Sequence, residues 1–166
     1  MSGELTPAQQ RAVEEFRRLR GVDPFGPFVQ LLASPELMTR VGALGEYLRY
    51  RSALPPRLSE LAILVTAAHW QQSLEWEIHA PIALKAGIRQ PTLDALWSGT
   101  VPSNLESDEC VVYDLCTELH RDRRVAPVTH ERAVAMLGEQ GAMDAIGICG
   151  YYALLAMVLN ADSRVR

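Results

Sequence analysis

Prolines and glycines divide this chain into stretches whose apolar residues recur at helical spacing, and that punctuation constrains the fold more than any other feature. Thr6-Pro7 reads as an N-cap followed by proline at the first helical position, and Ala12, Val13, Phe16 and Leu19 follow at helical intervals up to Gly21. Asp23-Pro24-Phe25-Gly26-Pro27 is a rigid turn, 28–32 a short helical turn, and Ser34-Pro35 the start of a helix ending near Arg49. Gly42 and Gly45 weaken that helix slightly and suit close packing. Leu54-Pro55-Pro56 imposes an extended approach to a helix through Leu58, Leu61, Ile63, Leu64, Val65 and Ala68.

The next predicted helix covers 72–86, with Lys85 in its last turn and Gly87 as its stop. A short piece follows Gln90-Pro91, 99–104 reads as loop, and Val111, Leu115 and Leu119 make 106–120 amphipathic. Thr129 is placed to cap a helix to Leu137, and a last helix covers 142–160. No stretch alternates apolar and polar residues between turn signals. The expected fold class is therefore all-α, a helix bundle. The expected organisation is one domain over 1–166, with an N-terminal arm (1–30), core motif helices (54–88) and C-terminal helices (105–161).

Sixteen Lys and Arg against 20 Asp and Glu give a net charge of -4, which offers no overall attraction to nucleic acid or to an anionic membrane. The basic clusters Arg17, Arg18, Arg20 and Arg121, Arg123, Arg124 read as solvated faces or helix ends. Cys110, Cys116 and Cys149 have neither CxxC nor zinc-type spacing and read as small hydrophobes in a reducing compartment. The amino terminus carries neither a basic nor an apolar leader region, so the expected location is cytoplasmic. Only 142–159 mimics a membrane span, and Asp144, Gly147 and Gly150 interrupt it, so no membrane partner is expected.

Candidate chemistry concentrates in 60–79. Glu60 puts a carboxylate in an otherwise apolar helix, either as a first-turn residue paired with Arg57 or as a functional group. Gln72, Glu75 and His79 are three and four residues apart and share a helical face, with Trp76 on a neighbouring stripe. A Glu and His pair at this spacing can share a proton, and the histidine is placed to titrate near neutral pH, where acid and base catalysis works best. Pro81 removes a backbone bond to Glu77 and is placed to open space beside the imidazole. Glu75 and His79 also form half a metal site, with His69 or Glu60 to complete it. No second Glu-x-x-His motif accompanies them, so no metal is expected. His120 and His130 have charged neighbours and read as surface residues. Phosphate loops, nucleophile elbows and dinucleotide fingerprints are absent.

Leu54-Pro55-Pro56-Arg57-Leu58-Ser59-Glu60-Leu61-Ala62-Ile63-Leu64, then Glu75-Trp76-Glu77-Ile78-His79 and Ala83-Leu84-Lys85-Ala86-Gly87-Ile88, resemble the carboxymuconolactone decarboxylase family, whose relatives include the alkyl hydroperoxidase D proteins. The late helix from Gly150-Tyr151-Tyr152 to Leu159-Asn160 fits the same pattern. In the hydroperoxidase branch a Cys-x-x-Cys pair does the redox work while a glutamate and a histidine relay protons. Aligned through Glu60 and His79, Gln72 and Glu75 stand where the two cysteines would be. Neither side chain forms a thiolate or a disulfide, which argues against thiol peroxidase activity. Glu75 instead matches the Glu-Trp-x-x-His of the decarboxylase-like branch.

The resemblance implies an alkyl hydroperoxidase D-like bundle that assembles with itself as a homotrimer or homohexamer. It also implies a cofactor-free acid and base enzyme acting on a small carboxylated lactone or related ring acid. In that reading His79 donates or shuttles the proton, Glu75 orients it and sets its charge, and Glu60 is a second relay or positions substrate. Arg57, Gln72, Trp76 and Tyr151 are the expected substrate contacts, Arg57 with a salt bridge to Glu60 as its competing role. An isomerase, dehydratase or cyclase would use the same proton-transfer group, and a ligand-binding or assembly protein would use none of it.

Overall fold

A computed structural model describes residues 4–161, so positions 1–3 of the predicted arm and 162–166 of the predicted domain lie outside the described residues. The order is α1(Pro7–Arg20), α2(Pro27–Leu31), α3(Pro35–Tyr50), α4(Pro56–His69), α5(Ser73–Ala86), α6(Gln90–Trp97), α7(Ser107–Asp122) and α8(Pro127–Ala161), with no strand among the described residues. The fold is all-α.

Local chemistry explains most boundaries. Thr6 and Gln9 form a reciprocal capping box ahead of Pro7, and Gly21 ends α1 in the left-handed conformation at φ 70°. Gly87 ends α5 in the same way at φ 107°. Glu106 and Glu109 make a second box at the start of α7. The two predicted C-terminal helices are the halves of α8, and Gly138, at φ 74° and ψ 166°, breaks the helical path between them. Thr129 is not the cap: Pro127 starts the helix, and the Thr129 hydroxyl donates to Glu118 Oε1 at 2.6 Å.

α4 is the central element. Every residue from Leu58 to Ala67 is buried, because α5, α6, α7 and α8 all pack on it. A helix covered on all sides must be apolar on all sides, as this one is apart from Ser59, Glu60 and Thr66. Thr66 donates back to the Ala62 carbonyl at 2.9 Å, a local partner that makes its burial tolerable. α1, α2 and α3 pack together, with Phe16 and Phe28 ring centroids 4.5 Å apart, and lean on α8 through α2 and α3.

α8 is long and apolar enough to cross a membrane, yet 56% of its most apolar window is buried inside the fold, so core packing accounts for its character. Its one buried acid is satisfied. Asp144 accepts from the Tyr47 hydroxyl at 3.0 Å and the Ala53 amide at 2.8 Å, tying α8 to α3 and to the turn before α4.

Gly45 lets α3 approach α8. A Cβ there would stand 1.9 Å from the Tyr151 hydroxyl oxygen and 2.4 Å from its ring, whereas one at Gly42 would meet Phe16 at an ordinary 3.5 Å. Gly45→Ala is expected to destabilise the fold by about 1–3 kcal/mol through overpacking. Gly42→Ala should be neutral or stabilising by up to about 1 kcal/mol. Urea unfolding of the two variants beside wild type checks the contrast.

Candidate functional site

The hairpin of α4 and α5 brings the predicted acid and base groups together. Trp70, Gln71 and Gln72 make the turn, with Gln71 in the left-handed region at φ 49°. The Gln72 side chain accepts from the Leu74 amide at 3.0 Å and so starts α5. Across this hairpin His79 Nδ1 lies 2.7 Å from Glu60 Oε2, a contact between two buried groups. An ionised carboxylate only accepts, so Nδ1 carries the proton and Glu60 fixes the ring's orientation.

The other ring nitrogen faces different partners. Nε2 is 3.2 Å from the Tyr152 hydroxyl and 3.6 Å from Glu75 Oε2. Burial pushes the Tyr152 phenol well above its ordinary value, so it stays neutral and donates to Nε2. Tyr152 also meets the imidazole edge-on, with centroids 5.1 Å apart. Burial raises the Glu75 carboxyl above the ordinary glutamate range, against the opposing charges of His79 and Arg49.

Glu75 and His79 line a cavity of about 20 Å³ with Arg20, Arg49, Tyr151 and Tyr152. That is room for about one water. Phe25 lines it too and is 44% exposed, so it lies on the solvent side of the lining. A larger cavity of about 280 Å³ lies beside His69, Tyr113 and His120 and is lined by none of the predicted site residues. The smaller one is the better candidate because it brings a carboxyl and an imidazole to 3.6 Å beside room for one bridging water. No group of His, Cys, Asp and Glu side chains among the described residues is arranged to hold a metal ion.

The predicted roles need revision. Glu60 rather than Glu75 orients His79, and Glu75 is the carboxyl on the cavity side. Arg57 pairs neither with Glu60 nor with the cavity: it binds Asp108 at 2.6 Å and also Glu109, joining α4 to α7. Gln72 is committed to its cap and to Asn160, which it reaches at 2.8 Å. Trp76 stacks against Trp97 with centroids 4.8 Å apart. None of these three lines the cavity, whereas Tyr151 does. His120 is half-buried rather than on the surface, 2.9 Å from the Thr66 hydroxyl and stacked on His69, while His130 is exposed. Cys116 and Cys149 are buried; their mutual hydrogen bond and then burial push the Cys116 thiol well up, and neither lines the cavity.

Arg20, Arg49 and Tyr152 were not predicted. The doublet Tyr151-Tyr152 in an apolar helix was the available signal, because a buried phenol needs a polar partner.

Residues 35–104 match the model of the Carboxymuconolactone decarboxylase family. The matched segment contains Arg49, Glu60, Glu75 and His79. The match does not extend to the Tyr151-Tyr152 helix. No curated protein matches the chain with significance.

The Glu75 environment sets a pH dependence. A carboxyl whose folded pKa is raised contributes stability fully present below its unfolded pKa and lost as pH rises through the folded value. Glu75→Gln mimics the protonated form. Its stability advantage over wild type should be absent below about pH 4.3 and grow toward neutral pH. Urea unfolding of both proteins across that range is the check, and a difference independent of pH would count against it.

Proposed function

We propose that this protein is a cofactor-free acid and base enzyme acting on a small carboxylated ring compound, with decarboxylation of an unsaturated lactone as the reaction that best fits. The observation that carries this reading is the division of His79 between two environments: Nδ1 held by Glu60, Nε2 turned to the cavity beside Glu75 and Tyr152. A buried imidazole fixed on one side and open on the other is the arrangement general acid and base catalysis needs. The family of segment 35–104 supports it.

In such a reaction the carbon–carboxylate bond breaks, carbon dioxide leaves, and the electron pair flows through the conjugated system to the lactone carbonyl. The resulting dienolate is protonated at carbon. The neutral Glu75 carboxyl is the proton donor at hand, and a water in the space beside it carries that proton to or from His79 Nε2, 3.6 Å away. Once Nε2 takes up a proton the Tyr152 hydroxyl is released from it and is placed to donate to the developing enolate oxygen. Substrate displaces the water-sized volume beside His79 and moves the Phe25 wall outward. The same group serves an isomerisation, since proton transfer at carbon is common to both.

Self-association belongs to this reading. Met136, Met143 and Met157 on α8 and Leu37 and Leu44 on α3 are all exposed, apolar surface that a trimer or hexamer would cover. The cytoplasm remains the compartment of choice for three free thiols.

His79→Gln and Glu60→Gln are each expected to lower turnover by about 10²–10⁴-fold, measured on the folded fraction that thermal melts establish, since each also breaks a buried pair. Release of labelled carbon dioxide from a carboxyl-labelled lactone, with deuterium uptake at ring carbon, measures it. Unchanged turnover in both His79→Gln and His79→Ala removes His79 from the mechanism.

A further inference from the structure

We propose that Arg20 and Arg49 form a carboxylate-binding subsite in the wall of the His79 cavity. That the bound carboxylate belongs to substrate rests on the acid and base reading of His79; that an anion binds there rests on the arginines alone.

Both side chains line the cavity, Arg20 from α1 and Arg49 from α3. Their sequence neighbours are all paired: Arg17 with Asp23, Arg18 with Glu15 and Arg51 with Glu46. Among the described residues no carboxylate lies within ion-pair distance of Arg20 or Arg49. The only carboxylate lining the cavity is Glu75, which burial biases toward its neutral form. The cavity wall therefore carries two cations with no carboxylate in contact with either, the buried Glu60 acting on Arg49 only from beyond ion-pair distance.

These cations are held in place by rings. The Arg20 guanidinium carbon lies 5.9 Å from the Phe16 centroid, 5.7 Å from Phe28 and 5.8 Å from Tyr50, and the Arg49 carbon lies 5.5 Å from that same Tyr50 ring. Two like charges that share one ring repel each other, and an anion in the cavity both of them line reverses that penalty.

Arg20 also has hydrogen-bonding capacity to spare. Its Nη2 reaches the Tyr151 hydroxyl only at a long 3.4 Å, and its Nε–H is buried with no partner at all. A buried N–H left unmade is costly, and a ligand oxygen is the natural acceptor for it. Two guanidinium forks offer the planar, bidentate geometry that a carboxylate matches. With Phe25 moved outward, the Phe28, Tyr151 and Tyr152 rings would face a flat, apolar body behind that carboxylate, which the present volume of about 20 Å³ does not hold.

The experiment titrates wild type and variants with formate, acetate and benzoate, and with benzamide as the uncharged isostere of benzoate. The arginine Nε–H and histidine ring resonances report binding. In wild type benzoate is expected to shift both sets, with benzamide at least about tenfold weaker. Arg20→Gln and Arg49→Gln should each weaken benzoate at least about tenfold, with Arg49→Lys between them and wild type. Thermal melts of each variant establish folding, and Arg20→Lys replaces Arg20→Gln if the latter does not fold. The proposal is overturned if benzamide binds as well as benzoate, if the Gln variants bind benzoate like wild type, or if none of the three anions shifts these signals. His79→Gln separates the two readings. Benzoate binding should survive in it, and if turnover also survives, the catalytic reading falls while the subsite stands.

Discussion

A carboxylate on α4 and an imidazole on α5 meet 2.7 Å apart where neither has appreciable contact with water. Taking such groups out of water is costly, and their attraction offsets the cost only if both are held in good geometry. The bundle supplies that geometry. The turn at Trp70 to Gln72 sets the register of α4 against α5, and Gln72 secures both the start of α5 and a link to Asn160. α4 is enclosed on every side, so Glu60 cannot swing out to solvent.

The third wall of the site comes from α8, and two consecutive residues there do different things. Adjacent helical positions diverge by about 100°. Tyr152 consequently reaches His79, while Tyr151 turns toward α3 and seats its hydroxyl over Gly45 beside Arg20. Burial holds Tyr151 up at about 12, so both phenols remain neutral donors at the edge of the cavity. The close approach of α3 and the donor opposite His79 thus depend on one stretch of α8.

Much of this was legible in the sequence because helix ends are local chemistry. Thr6-Pro7, Gly21, Pro35, Pro56 and Gly87 mark their boundaries through capping, fixed φ or left-handed backbone. The Glu75 and His79 pair followed from spacing within one helix. What spacing could not give was which ring nitrogen faces which carboxylate, since that depends on how α4 lies across α5. Arg57, Gln72 and Trp76 were misplaced for a related reason: their partners, Asp108 and Glu109, Asn160 and Trp97, are distant in sequence. Arg20 sits in a run of arginines that reads as a solvated face, and only its aromatic surroundings distinguish it from Arg17 and Arg18.

The segment that matches the family, 35–104, carries Glu60, Glu75 and His79, whereas Arg20, Phe25, Tyr151 and Tyr152 lie outside it. The buried Glu60 and His79 pair and most of the cavity lining beside it are therefore encoded by different parts of the chain. Side chains on α1 and on the loop after it can be exchanged to alter what fits beside the imidazole while the α4 and α5 hairpin keeps its own contacts. The α1 wall can therefore change without touching the buried Glu60 and His79 pair, whereas the α8 wall cannot, because Tyr152 holds the imidazole.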